Sequence, residues 1–271
     1  MTNTPDARKI ALDLLEEILE KGELSHIALK RTLTKYQDLS KLDRAFITRL
    51  VEGTIEHKIT LDYFIDSYSK TKVRKMKPII RTILRMSVYQ LKYMTQVPVS
   101  AVCNEAVKLT KKRGFHGLSG FVNGVLRGMV RNNCEVVLPD CNKNPIGYLS
   151  ITYSMPEWII REFLSQYDFA TVEGILQSFI EVRPTSIRCN TANIDVTNLR
   201  EKLLKEGVTV ENGDYLEESL KISGYDHLNE LDSFRSGDFQ VQDPASMLPA
   251  RCAGIKKNDL VIDVCAAPGG K

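Results

Sequence analysis

Through the first 130 or so residues, apolar side chains recur three or four positions apart and almost nowhere alternate, and that spacing permits helices and little else. Thr4, Pro5 and Asp6 read as an N-cap, a first-turn proline and a first-turn acid. Ala7, Ile10, Ala11, Leu14, Leu15, Ile18 and Leu19 then line one face as far as Gly22. The same spacing predicts helices within residues 42–65, 77–94, 97–114 and 118–132. The polar stretch NNCEVVLPDCNKNP, with two prolines, is the expected linker.

Beyond it, PEWIIREFLSQY and FATVEGILQSFIE predict two more helices. After Pro184 the period changes: TSIRCN, VTVENG and SLKISG are short β-prone runs, and VTNLREKLLKEG between the first two is helical. From Gly237 the pattern changes again: DFQVQDP leads into a short helix around SMLPARCAG, the turn KKND and the strand LVIDV, residues 260–264. The expected fold class is multidomain: an all-α helical domain over residues 1–135, a helical and small α+β connector over 145–236, and the start of an α/β Rossmann-type domain over 237–271.

A net charge of +3 hides an asymmetry. Residues 1–140 hold 24 Lys and Arg against 15 Asp and Glu, a balance of +9, and the remainder holds 13 against 19, a balance of −6. The front half therefore faces polyanions. Residues 67–104 contain no acid at all, while Lys70, Lys72, Arg74, Lys75, Lys77 and Arg81 cluster near their start. A solvated helix face ordinarily carries balancing carboxylates, so the first six of these cations are the candidate nucleic-acid contacts. The opening residues have no apolar core of a signal peptide and no apolar run reaches 18 residues, which predicts a cytoplasmic protein without membrane contact. Six cysteines without CxxC spacing and four scattered histidines point to neither a disulfide framework nor a metal site.

The chemistry is concentrated in VIDVCAAPGGK, residues 261–271. In an open α/β sheet the turn after the first strand offers backbone N–H groups to an anionic ligand. Gly269 and Gly270 permit close approach and positive φ, Pro268 stiffens the turn, and Asp263 can accept backbone hydrogen bonds that hold it. A nucleotide-binding GxxxxGK[ST] loop would need glycine where Cys265 stands, and GxGxxG is absent. The residues alone leave the ligand as an anion or a nucleoside-bearing molecule.

The nine residues DVCAAPGGK resemble the first S-adenosylmethionine motif of the RsmB/Nop2/Sun family of RNA cytosine-C5 methyltransferases. FQVQDPAS and IRCNT resemble two further segments of that family, and LDRAFITRLVEGTI, LRMSVYQLKYMTQVPVSAVCNEAV and FVNGVLR resemble the NusB-like RNA-binding domain fused to its bacterial branch, which acts on 16S ribosomal RNA. At Met155 the family's usual His is missing. The resemblance implies S-adenosyl-L-methionine as cofactor, held by Cys265, Ala266, Ala267, Pro268, Gly269, Gly270 and Lys271, and a monomer that binds ribosomal RNA without a metal. It also implies a cysteine thiolate that adds to C6 of cytosine so that C5 can accept the methyl group. The family's two catalytic cysteines lie in Pro-Cys-Ser and Thr-Cys-Ser contexts, and none of the six cysteines here does.

Cys265, Cys189 and Cys252 are accordingly expected as small packed hydrophobes rather than nucleophiles. Asn104, Glu105, Asn123 and Arg127 are expected in helix packing, with Arg127 a possible phosphate contact. One strand and its turn cannot make a stable parallel layer, so these 271 residues are expected to be part of a longer enzyme and inactive alone. The alternative is a non-enzymatic NusB-like RNA-binding module, for which DVCAAPGGK would have no use. A P-loop NTPase would require Ser or Thr after Lys271.

Overall fold

A computed structural model describes residues 6–181, 183–225, 227–267 and 269–270. The chain forms two compact units, Met1–Ile180 and Glu181–Lys271.

The first unit is helical: α1 (Ala7–Lys21), α2 (Ser25–Lys35), α3 (Lys41–Glu56), α4 (Lys58–Tyr68), α5 (Pro78–Tyr93), α6 (Val99–Lys112), α7 (Ser119–Arg131), α8 (Pro145–Tyr153), α9 (Glu157–Leu164) and α10 (Phe169–Ile180). The cap of α1 is Asp6, whose carboxylate accepts from the Arg8 and Lys9 amides. Thr4, expected in that role, lies outside the described residues. Gly22 ends the helix at φ 77, where any Cβ is disfavoured.

α5 organises this unit. Proline at its first position fits the helix start, and residues from Ile79 to Gln90 are buried on every face but Arg81. A helix enclosed all round must satisfy its polar side chains internally. Thr82 and Ser87 donate to the carbonyls of Pro78 and Ile83, and Gln90 donates to Met86 and accepts from Arg8 Nε at 2.9 Å. Leu12, Leu14, Leu15, Ile47, Leu50, Leu61 and Ile65 pack into the same core.

The helices depart from the sequence pattern in two places. Residues 42–65 are not one helix: the chain breaks at His57, and the Ile59 amide donates to Ser154 Oγ at 3.1 Å instead of continuing the ladder. α2 and α8 were not visible as helices, because α2 buries only Ala28 and Leu29 and α8 carries apolar residues on all sides. The first compact unit runs on past the linker expected over residues 132–145. α8 docks on α4, with Thr60 Oγ1 donating to the Ile151 carbonyl at 2.5 Å, so the helices after the linker complete the first unit.

The second unit contains β1 (Thr185–Cys189), α11 (Val196–Lys205), β2 (Thr209–Asn212), β3 (Ser219–Ser223), α12 (Asp232–Arg235), β4 (Phe239–Val241) and α13 (Pro244–Cys252). Its strands form an antiparallel sheet in the order β2-β3-β1-β4, so β3 splits the β1-α11-β2 crossover. The registers Ile187↔Leu220 and Cys189↔Phe239 place the apolar residues on one face, against Leu199 and Leu203 of α11. Ser186, Arg188, Lys221 and Gln240 share the other face. β4, expected in a third domain, is thus the edge strand of this sheet.

The strand expected over residues 260–264 is not formed. Leu260, Ile262 and Val264 are 91%, 76% and 89% exposed, and no strand among the described residues pairs with them. An extended segment without ladder partners leaves its backbone to water, so alternating apolar residues alone do not make it a strand.

Candidate functional site

The basic cluster sits on the turn between α4 and α5. A short 3₁₀ turn at Val73–Lys75 is pinned from below by buried Val73 and Met76 and from the side by Asp66, whose Oδ1 accepts from the Val73 amide at 2.7 Å. Lys70, Lys72, Arg74, Lys75 and Lys77 are left exposed around it. Their charges are not equivalent. Lys72 Nζ donates to the Asp66 carbonyl at 3.2 Å, whereas Lys70, Arg74, Lys75 and Lys77 meet no carboxylate among the described residues.

Arg81, the sixth candidate, lies one turn into α5 and pairs with Glu20 of α1 through two contacts, one of them Nε to Oε1 at 2.9 Å. That hydrogen bond, with the nearby charge, raises its pKa and commits it to the fold. The carboxylates missing from residues 67–104 are therefore supplied by Glu20, Asp62 and Asp66 of other segments, but only to Arg81, Arg85 and Lys72.

The uncapped start of α5 adds to the same field. It has no side-chain cap and no acid in its first turn, and cations stand beside the positive end of its macrodipole. Such an arrangement is unfavourable by about 0.3–1 kcal/mol per charge in isolation and becomes favourable when an anion is present. On α7, Arg127 Nε donates to Asn123 Oδ1 at 3.1 Å, and on α6 Glu105 pairs with Lys108.

The second candidate, in the other unit, is the turn after residue 264. Asp263 Oδ1 accepts from the Cys265 amide at 2.9 Å, as its position suggested, and the Gly269 amide donates to the Ala266 carbonyl at 2.6 Å. Gly269 lies at φ +95, and a Cβ at Gly269 or Gly270 would meet open space, so a ligand can reach the main chain directly. The amides of Ala266, Ala267 and Gly270 have no acceptor among the described residues. Unpaired amides gathered on a turn suit a carboxylate. Pro268 and Lys271 lie outside the described residues.

Cys265 and Cys252 are exposed, against the expectation that they pack as hydrophobes, because no layer among the described residues covers them. Cys189 is buried as expected. Burial pushes the thiols of Cys103, Cys134 and Cys189 up, away from the reactive thiolate. Gln242 lies in the FQVQDPAS segment noted for its resemblance, to which no role was assigned; its side chain donates to the Gly270 carbonyl at 3.0 Å.

Residues 5–131 match the NusB family, and residues 155–226 match the RsmF/B-like methyltransferase ferredoxin-like domain. The chain is 35% identical over 264 residues to a probable ribosomal RNA small subunit methyltransferase B of Bacillus subtilis, covering 97% of this chain and 58% of the relative. It is 31% identical to the protein of the same description from Synechocystis sp., covering 98% of this chain and 59% of the relative. The chain thus spans about three-fifths of these relatives. The crystal structure of PH0851 superposes with a TM-score of 0.67 at 21% identity, covering 98% of this chain and 59% of that one, which supports the same fold. The chain thus carries a match to the NusB family followed by a match to the RsmF/B-like methyltransferase ferredoxin-like domain, and along nearly its whole length it is similar to proteins described as ribosomal RNA small subunit methyltransferase B.

Proposed function

We propose that the chain is the ribosomal-RNA-docking end, and the opening of the cofactor site, of an S-adenosylmethionine-dependent enzyme that methylates cytosine C5 in 16S ribosomal RNA, working in the cytoplasm as a monomer. One observation carries the reading: a NusB-family domain, an RsmF/B-like ferredoxin-like domain and the DVCAAPGGK turn occur in one chain, in line with relatives described as small-subunit ribosomal RNA methyltransferases.

RNA docks on Lys70, Lys72, Arg74, Lys75 and Lys77, where exposed cations and the start of α5 combine; phosphate contacts of this kind position an RNA without reading its sequence. The turn formed by Cys265, Ala266, Ala267, Gly269 and Gly270 receives the amino-acid end of S-adenosylmethionine, its free amides meeting the carboxylate. The bound cofactor supplies the methyl group. Asp263 keeps the turn in shape through the Cys265 amide. None of the six cysteines stands in the setting of the family's nucleophile, so the attack on C6 belongs to residues outside these 271.

Two experiments test the reading. Replacing Lys72, Arg74, Lys75 and Lys77 together with Glu is expected to weaken binding of 16S ribosomal RNA in a filter assay and to flatten its dependence on salt; unchanged binding at low salt moves the contact elsewhere. A protein of the relatives' full length that contains these residues is expected to carry labelled methyl from S-adenosylmethionine to cytosine C5. Label on another base or atom overturns the assignment, and the 271-residue chain alone is expected to transfer none.

A further inference from the structure

The residue that ties the amide turn to the body of its unit is Gln242. Its own amide donates to the Ser186 carbonyl at 3.1 Å, carrying the β4–β1 ladder one residue past Val241, and the Asp243 carboxylate caps α13 immediately afterwards. The Gln242 side chain therefore leaves a backbone fixed on both flanks.

Gln242 is 3% exposed, and its amide head is fully engaged. Nε2 donates to the Gly270 carbonyl at 3.0 Å and to the Ser246 carbonyl at 3.3 Å, while Oε1 accepts from Gln240 Nε2 at 3.4 Å. Two carbonyls can only accept, so the nitrogen must face the turn and the oxygen must face Gln240. Burying a primary amide is tolerated when its donors are satisfied, and here one of the two donors is satisfied only while Gly270 stays where it is. The cost of losing that partner falls on displacement of the turn. Asp263 holds the turn at one end through Cys265, and Gln242 holds it at the other through Gly270.

We propose that Gln242 is the positioning residue of the methyl-donor turn: it fixes Gly270 by its carbonyl so that the amides of Ala266, Ala267 and Gly270 are presented together to the donor's carboxylate, without touching the donor itself. The inference rests on the reading of the turn given above. It assigns to Gln242 a directional hydrogen bond, which packing of an isosteric apolar side chain does not replace.

The test uses the 271-residue chain, isotopically labelled, with Gln242→Met and Gln242→Glu variants, followed by NMR of the backbone of residues 265–270. In Gln242→Met the Gly270 resonances are expected to move and to stay insensitive to pH. In Gln242→Glu they are expected to move at neutral pH, where the carboxylate can only accept, and to return towards the parent's positions as acid protonates the glutamate and restores one donor. Gly270 resonances identical in all three proteins at every pH, with the sheet resonances intact, overturn the proposal. Titration with S-adenosylmethionine at millimolar concentration, in proteins of the relatives' full length, adds the second readout: the variants are expected to bind about five-fold more weakly than the parent, the worth of one hydrogen bond. Equal affinities overturn the positioning role. A parent of the relatives' full length that shows no response to the donor sinks the reading of the turn as a donor site, while the pH response of Gly270 in the 271-residue chain still judges the tether.

Discussion

Arg85 and Asp62 form a two-point ion pair between α5 and α4, with Nε to Oδ1 at 2.6 Å and the terminal nitrogen to Oδ2 at 2.8 Å. The Arg85 side chain is 6% exposed and that of Asp62 is 26% exposed, so the two partners are unequal. Removing the carboxylate strands a charge in the core, whereas removing the guanidinium leaves a carboxylate that water can reach. Asp62→Ala is expected to cost about 3 kcal/mol, the lower end for a broken buried pair, and Arg85→Met clearly less. Urea unfolding of the two variants checks this; equal losses would mean that the pair's burial does not govern its energetics.

Gly53 of α3 faces the Tyr89 ring so closely that a Cβ there would lie 2.0 Å from Tyr89 Cζ. Tyr89 cannot swing away freely, since it is 6% exposed and its ring lies 5.3 Å from Tyr93 and 5.9 Å from His57. Gly53→Ala is expected to destabilise by about 2 kcal/mol through overpacking. Combining it with Tyr89→Leu should cost less than the sum of the two, because the second change removes the obstacle. Additive losses in thermal unfolding would place the strain elsewhere.

The helical unit was legible where burial is one-sided and periodic, as in α1, α6 and α7, whose apolar stripes face a single core. It was illegible where the chain departs from that regime. The interruption at His57 depends on Ser154, 95 residues away from Ile59 in sequence, and no local pattern carries that information. The turn at the chain's end shows the opposite error. Alternation over residues 260–264 predicts a strand that is not formed, because a ladder needs a partner and none stands beside it among the described residues. Of the basic candidates, spacing could not separate Arg81 from its neighbours, because its partner Glu20 belongs to another helix. Gln242 was hidden for the same reason: its role exists only once Gly270 is brought 28 residues back to it.

His57 offers a titration that reports on the packing around that break. Its ring stacks on Tyr93 at 4.2 Å, and burial, with Lys92 nearby, holds its pKa below the ordinary 6.5. The folded protein therefore resists protonation that the unfolded chain accepts. The stability contributed by neutral His57 is complete above pH 6.5 and is lost as pH falls from there through the lower folded pKa. Against a His57→Gln variant, the parent is expected to lose stability more steeply between neutral pH and about pH 5. Parallel stability curves would show that the ring titrates alike in both states.

Arg81 and Lys75 separate folding from RNA contact within the same basic run. Arg81 is held by Glu20, with side chains 24% and 17% exposed, and a charge already paired has little to offer a phosphate. Arg81→Gln is expected to lower stability by about 1 kcal/mol and to leave the salt dependence of ribosomal RNA binding as it was. Lys75 is exposed, meets no carboxylate among the described residues and stands near the positive end of α5, so Lys75→Gln should not lower stability and is expected to raise it by a few tenths of a kcal/mol, about the low end for one such charge. Its effect should fall on binding, reducing the slope of log affinity against log salt by about 0.7–0.9, the value for one phosphate contact. The paired measurement decides between two pictures of the cluster. If both substitutions flatten the salt slope, the Glu20 pair opens on binding and all six cations act together; if only Lys75→Gln does, the contact surface is the five exposed cations of the turn before α5.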